Sequence, residues 1–311
     1  MSLARHTTRI APPQGGRPTI DAAWGARTTD QRIGVIEAAE AIGLGLTPEA
    51  ERTPLASSSH GLGEVLRDAI ERGVRDVIIG LGGTGTIDGG VGAVAALGVR
   101  CLDAAGDPLP RPIRGGDLGS IASFDVPPSV RTMVKETSIR LAVDVEAPRV
   151  GPTGAAHLFG PQKGASQEDI NVLERNLASL AEVLGVAPST PGFGAAGGLG
   201  VAFTALLGAS IEPGISLVLD CVNFDERCAA ADLVLSGEGA LDEQSRLGKG
   251  ACAVAERART LGVQTIAVVG QRSACFGGDS PFASVVSVSD QVGVAAAMHD
   301  PAEAIAALRL E

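Results

Sequence analysis

Asp76-Val-Ile-Ile-Gly-Leu-Gly-Gly-Thr-Gly-Thr-Ile-Asp-Gly-Gly90 sets an acid-led apolar run against a glycine-rich turn and a second acid. Val77 to Ile79 are β-branched and too few for a buried helix, which predicts a strand. The glycines beyond it permit positive φ and close ligand approach. A helix opening at Ile87 or Asp88 would aim its free N–H groups at the loop, where an anion is favoured. The stretch is therefore a phosphate-approach loop in outline. Gly80, Gly82 and Gly85 also satisfy G-x-G-x-x-G, and Asp103 stands near the distance at which a dinucleotide fold keeps its ribose-binding acid. A nicotinamide-nucleotide site and an ordinary strand-to-helix turn both stay open at this point.

Length and charge narrow the setting. A chain of 311 residues exceeds the usual size of one core and predicts two domains. Abundant glycine, 42 residues, with few aromatics describes a close-packed α/β protein with an aliphatic core and no aromatic platform for stacking bases. The formal net charge of −11 opposes binding to polyanions, so nucleic acid is not an expected partner. Cys101, Cys221, Cys228, Cys252 and Cys275 are odd in number and lack C-x-x-C spacing, so buried thiols are expected in place of a zinc site or disulfides. The start of the chain has no apolar signal core, and no run approaches the ~20 apolar residues that span a bilayer. The expected setting is cytoplasmic, with no membrane partner.

Outward from the loop, strand and helix patterns alternate. Strands are predicted over 19–24, 32–38, 139–145, 232–235, 265–269 and 284–289, and 99–102 starts a new element followed by a loop rich in Pro, Gly and Arg. Helices are predicted over 61–73 with Ser57 to Ser59 as its cap, 91–97, 167–184, through Leu207, 250–261 and 302–310. In the helix 167–184, Leu173, Leu177, Leu180 and Val183 form the apolar stripe. This alternation implies a parallel sheet covered by helices. It stops near Leu97 and resumes near Phe224, so residues 28–97 and 224–311 are expected to form a discontinuous Rossmann-like domain. Residues 1–27 and 98–223 are expected to form a second, mixed α/β domain. Asp232-Leu-Val-Leu-Ser-Gly-Glu-Gly-Ala-Leu-Asp242 echoes the opening stretch as acid, short strand, glycine turn and acid. Two such turns could face one crevice.

Four segments could carry chemistry. Glu238, Asp242, Arg246 and Lys249 gather just past a strand, where Asp242 could take a proton from a hydroxyl or hold Mg²⁺ and Lys249 could neutralise phosphate charge. The alternative is a helix-start acid with a solvated lysine. Lys163, after Gly160-Pro161-Gln162, suits anchoring a carboxylate or phosphate, as it also suits a surface ion pair. Asp144 and Glu146 fall on one strand face and could share a metal or repel. His6, His60, His157 and His299 lack partners at metal-ligand spacing, and no G-x-S-x-G elbow is present, which argues against a hydrolase triad.

Taken in order, these segments resemble the glycerate kinase family. Gly80-Leu-Gly-Gly-Thr-Gly-Thr-Ile-Asp-Gly-Gly90 is similar to its Gly-x-Gly-Gly-Ser-Ala-Thr-Asn-Asp-Gly-Gly. Phe159-Gly-Pro-Gln-Lys-Gly-Ala165 and Gly194-Ala-Ala-Gly-Gly-Leu-Gly200 match family runs, and Gly237-Glu-Gly-Ala-Leu-Asp-Glu-Gln244 with Gly248-Lys249 resembles Gly-Glu-Gly-x-x-Asp-x-Gln followed by Gly-Lys. The resemblance implies ATP- and Mg²⁺-dependent phosphorylation of glycerate, more readily to the 2-phosphate, with a homodimer left open. It implies catalytic roles for Asp242, Lys249 and Lys163. Gly82, Gly83, Thr84, Thr86, Asp88 and Glu238 would meet the nucleotide. Gln162, Lys163, Ala196, Gly197 and Gly198 would meet the substrate, and Asp242 and Asp144 the metal.

The chain also departs from the family pattern. Ala-Pro-Asp-Ser-Phe-Lys and Asp-Gly-Gly-Glu-Gly-Thr are absent, so the first βα units are expected to be missing, with impaired activity as the consequence. Cys-Asp-Val-x-Asn-Pro-Leu appears as Val143-Asp-Val-Glu-Ala-Pro-Arg149, Tyr-Gly-Thr-Gly as His60-Gly-Leu-Gly63, and the Asn before Asp88 as Ile87. A non-catalytic small-anion-binding relative and a dinucleotide-dependent oxidoreductase are the alternatives.

Overall fold

The computed structural model describes residues 3–29, 32–144, 147–187, 192–242, 245, 250–273 and 280–308. The chain forms two units, Met1–Gly214 and Ile215–Glu311. The first holds β1 (Leu3–Ile10), β2 (Ile20–Arg27), β3 (Ile33–Glu37), β4 (Asp76–Gly80), β5 (Arg100–Leu102), β6 (Ser123–Asp125), β7 (Ser138–Val143) and β8 (Ser210–Pro213). Six of these make one mixed sheet in the order β1-β2-β3-β4-β7-β8, and β5 and β6 pair separately. β3, β4, β7 and β8 run parallel, extended at one edge by the antiparallel β1 and β2. The second unit is a parallel three-stranded sheet in the order β11-β10-β9, from β9 (Leu233–Leu241), β10 (Gln264–Arg272) and β11 (Ser284–Ser287). The α/β class is as the alternation implied.

Residue pattern explains the placement of the central strand. Val77, Ile78 and Ile79 of β4 are buried on both faces, as a parallel sheet covered by helices requires. The helices His60–Glu71 and Val91–Leu97 pack so closely that a Cβ on Gly63 would stand 2.2 Å from the Ala93 carbonyl oxygen. Only glycine allows that approach. The helix Gln167–Leu184 begins at a reciprocal Ser166–Asp169 capping box and ends at Gly185 in the left-handed region, φ 66°. Leu173, Leu177 and Leu180 are buried beneath it, whereas Val183 lies at the solvent edge.

Three expectations are corrected. The division falls at Gly214, and Val77–Ile79 and Leu233–Leu235 lie in different sheets, so residues 28–97 do not share a domain with 224–311. Register explains this: Val77 pairs with Gly34 of β3 and Ile139 of β7, leaving β4 no open edge. The echo also fails, because β9 runs on through Gly237 and Gly239 to Leu241 where a turn was expected. Finally, Ser59 does not cap the helix His60–Glu71 with its side chain, which is used elsewhere; within the serine run it is the Ser58 hydroxyl that accepts the His60 N–H, at 3.2 Å. Cys101, Cys228 and Cys252 are buried as expected, Cys221 is half-buried, and Cys275 lies outside the described residues.

Candidate active site

The glycine loop leaves β4 at Gly80 and is held from the side by Ile42 to Leu44. Leu44 N–H donates to the Gly83 carbonyl at 2.8 Å, and Gly85 N–H donates to the Ile42 carbonyl at 2.7 Å. Gly83 adopts φ 62°, and Gly82 is exposed with nothing within 4 Å of a Cβ built on it. A ligand therefore has open approach to the backbone at Gly82 and Gly83. Thr84 and Thr86 turn inward and are buried, and the Thr86 Oγ1 has no hydrogen-bond partner among the described residues.

Asp88 closes the loop. Its carboxylate is fully enclosed and accepts the Ser59 N–H and the Ser59 hydroxyl, each at 2.7 Å, and the Gly90 and Gly92 N–H groups, each at 3.2 Å. The Ser59 Oγ in turn accepts the Ala93 N–H at 2.9 Å. Burial pushes the Asp88 carboxyl above the ordinary carboxylate range, opposed by the four donors. The helix opens at Val91, later than Ile87 or Asp88, and Asp88 itself occupies the anion position at its start. This differs from the expectation that Asp88 meets a nucleotide: its oxygens are committed to the protein's own N–H and O–H groups. Sequence reasoning missed Ser59, although the serine run before the helix was visible.

Lys163 reaches the same loop from the Phe159–Ala165 segment. Arg52 clamps that segment, donating through Nη1 to the Gln162 carbonyl at 3.1 Å and through Nε to the Thr47 carbonyl at 3.2 Å. Gly164, φ 86°, lies where a Cβ would stand 2.4 Å from the Arg52 carbonyl oxygen. The chain so held turns Lys163 inward, 3% exposed, and leaves Gln162 exposed. The Lys163 ammonium donates to the Thr86 carbonyl at 2.9 Å and the Thr84 hydroxyl at 3.3 Å. Burial lowers its pKa to about 7, against the pull of Asp88. A surface ion pair, the bland alternative for this lysine, is not what forms.

The third glycine segment touches the first through backbone. Ala196, Gly197 and Gly198 are successive left-handed residues, φ 51°, 69° and 85°. The Gly197 carbonyl accepts the Gly89 N–H at 3.1 Å, and a Cβ on Gly197 would stand 2.0 Å from the Thr86 carbonyl oxygen. Three of the four motifs, 80–90, 159–165 and 194–200, thus meet within the first unit around Thr84, Thr86 and Lys163.

The family comparison gives this meeting its meaning. A sequence model described as the Glycerate kinase family matches residues 3–309. The chain belongs to the glycerate kinase family. It is 40% identical over 271 residues to the glycerate kinase of Halalkalibacterium halodurans, covering 86% of this chain and 70% of that protein. Against the glycerate 2-kinase of Escherichia coli K12 it is 40% identical over 256 residues, 81% of this chain and 66% of that protein. The solved structure of a glycerate kinase 2 from Salmonella typhimurium LT2 superposes with a TM-score of 0.78 at 36% identity, covering 92% of this chain and 75% of that one. The family is one of kinases, and the dinucleotide reading loses its support. Asp103, its ribose-binding acid, caps a local turn by accepting the Ala105 and Asp107 N–H groups at 2.9 Å.

The fourth family motif lies in the second unit. Glu238 is half-buried on β9, its Oε1 enclosed and without a partner among the described residues, beside a mostly apolar cavity of about 530 Å³ lined by Ser236, Gly237, Gly239, Val269 and Gly270. Asp242 is exposed after the strand end, where its N–H and carboxylate meet the Ser245 hydroxyl and N–H at 3.2 and 3.3 Å. Arg246 and Lys249 lie outside the described residues, as does Glu146. Asp144 follows β7 and is exposed to solvent. Among the described residues no three His, Cys, Asp or Glu side chains gather as a metal cage. No described helix is long and apolar enough to cross a membrane.

Proposed function

We propose that this protein transfers the terminal phosphoryl group of ATP to a hydroxyl of glycerate, forming 2-phosphoglycerate in the cytoplasm. The observation that carries the reading is the meeting of the three glycine motifs around a buried lysine. Phosphoryl transfer asks little covalent chemistry of a protein and much positioning and counter-charge. Open backbone at Gly82 and Gly83, the unpartnered Thr86 hydroxyl and the Lys163 ammonium suit a phosphate group. ATP with its Mg²⁺ supplies the transferred group and part of the neutralising charge.

The protein residues divide the remaining work. Lys163, poised near neutrality, takes up a proton when an anion arrives and holds it as counter-charge. Asp88 positions the loop through Ser59 without touching ligand. Gln162, with the backbone of Ala196 to Gly198, orients the glycerate, and Glu238 meets the nucleotide. Asp242 accepts the hydroxyl proton or binds the metal, and Lys249 is the second cation. Mg²⁺ commonly keeps waters and binds through one or two carboxylates plus substrate phosphates, and Asp144 of the first unit and Asp242 of the second are each an exposed carboxylate of the kind it uses.

The test is glycerate-dependent ADP release, with the product assigned by phosphorus NMR. Wild-type protein should turn over and give the 2-phosphate. Lys163→Met should lower kcat/KM about 10²-fold while keeping the fold, as loss of one preorganised charge costs in comparable sites. Absence of glycerate-dependent ADP release, or wild-type kcat/KM in the variant, would overturn the reading.

A further inference from the structure

At the end of the parallel strands away from the glycine loop, β3, β4 and β7 begin around a second cleft of about 560 Å³. Arg32, Arg75 and Lys135 line it, with Asp76, Glu136 and Thr137. Asp76 is neutralised by Arg140, which donates to both carboxylate oxygens at 3.1 and 2.9 Å. Even with Arg32 left out of the count, Arg75 and Lys135 then outweigh Glu136 on this wall. A local positive excess of this kind runs against a chain whose net charge is −11.

Two further features make the cleft a built site. Thr137 is 6% exposed, and its Oγ1 has no hydrogen-bond partner among the described residues. Leaving a buried hydroxyl unpaired carries a desolvation penalty that a ligand oxygen would remove. The surrounding backbone is already committed: the Arg32 carbonyl accepts the Arg75 and Asp76 N–H groups at 2.7 and 2.9 Å, and the Arg75 carbonyl accepts the Ser138 N–H at 2.8 Å. Arg75 is itself fixed, its Nη1 donating to the Ile70 and Val74 carbonyls at 2.8 and 2.7 Å. The Arg75 guanidinium is thus held in place before any ligand arrives.

We propose that this cleft binds the phosphate group of a small phosphorylated metabolite, at a site separate from the glycine loop. β4 is five residues long, which separates the two sites by roughly 17 Å. A phosphate offers several acceptor oxygens, enough for a fixed guanidinium, an ammonium and a hydroxyl at once. β4 runs directly into the glycine loop and β7 directly into Asp144, so an occupant braces the two strands that carry site residues at their far ends.

Inorganic phosphate is the probe, titrated into the isotope-labelled protein and followed by amide NMR. Saturable shifts are expected at Arg75, Asp76, Thr137 and Ser138, and the amides of Gly82 to Thr86 report separately on the loop site. Lys135→Glu should weaken the first set roughly tenfold, as loss of a charged hydrogen bond with charge reversal implies, and Thr137→Val should weaken it several-fold. Both variants should leave the loop response and turnover unchanged. Lys135→Gln, which adds no negative charge, should give an intermediate loss. No saturable shift at Arg75 to Asp76 and Thr137 to Ser138, or shifts that survive both variants undiminished, would overturn the proposal. Because the loop amides are read in the same spectra, its failure is distinct from failure of the kinase reading.

Discussion

β4 stops at Gly80 and hands the chain to a loop anchored by buried Thr84, Thr86 and Asp88, whereas β9 continues through Gly237 and Gly239 to Leu241 and delivers Asp242 to solvent. The glycines do opposite work in the two places. In the first, positive φ at Gly83, Gly89 and Gly90 bends the chain, and Gly197 admits a carbonyl at contact distance. In the second, a Cβ on Gly237 would stand 2.2 Å from the Val268 carbonyl oxygen, so the missing side chain lets two strands stay paired. One region is preorganised by burial; the other holds its acid at the surface, where Asp242 accepts the Ser245 N–H. Substitutions in the first should therefore register mainly as lost stability, and in the second mainly as lost rate.

The strongest way to break this contrast is Gly197→Ala. The new methyl would meet the Thr86 carbonyl oxygen at 2.0 Å from a backbone at φ 69°, and overpacking with left-handed strain should cost about 4 kcal/mol in a urea melt. A wild-type midpoint would show that the two glycine segments are not coupled. Asp88→Asn comes next, because it turns an amide donor toward groups that already donate, at about 3 kcal/mol. Asp242→Asn sharpens the comparison: stability should stay within about 0.5 kcal/mol while kcat falls about 10²-fold. Equal melting losses in the two variants would erase the distinction.

A pH series isolates the buried lysine. With its pKa lowered from 10.5 to about 7, the folded chain lacks, between those values, a proton that the unfolded chain holds. Stability therefore rises with pH through that window, and the penalty is full below it. The stability of wild type minus Lys163→Met should climb by on the order of 1–2 kcal/mol from about pH 7 to about pH 9. A flat difference would mean that the ammonium stays charged in its cradle. Smallest of all, Leu235→Lys on β9, a position 59% exposed, should change the melt by less than about 0.5 kcal/mol.

Short-range signals in the sequence translated well. The helices Val91–Leu97 and Gln167–Leu184 fall on the ranges read from the sequence, although the first opens later than Ile87 or Asp88, and the motif at 159–165 brings Lys163 to the loop. What the sequence concealed depends on distant partners. Nothing local distinguishes a serine that caps its own helix from Ser59, which serves an aspartate 29 positions later. A strand bearing Gly237 and Gly239 looks like a turn until β10 is known to lie beside it. The domain boundary was misplaced for the same reason, since strand alternation does not say which strands share a sheet.

The bonds around Gly89 also set an order of assembly. Its N–H goes to Gly197, and its carbonyl accepts the Ala202 N–H at 3.1 Å. During synthesis the loop and the helix His60–Glu71 emerge early, and the Asp88–Ser59 contact can form at once. The other side of the loop must wait until the segment ending at Ala202 has left the ribosome. A nascent chain halted before that point would have the Asp88–Ser59 contact available while the side of the loop that meets Gly197 and Ala202 is still unshaped.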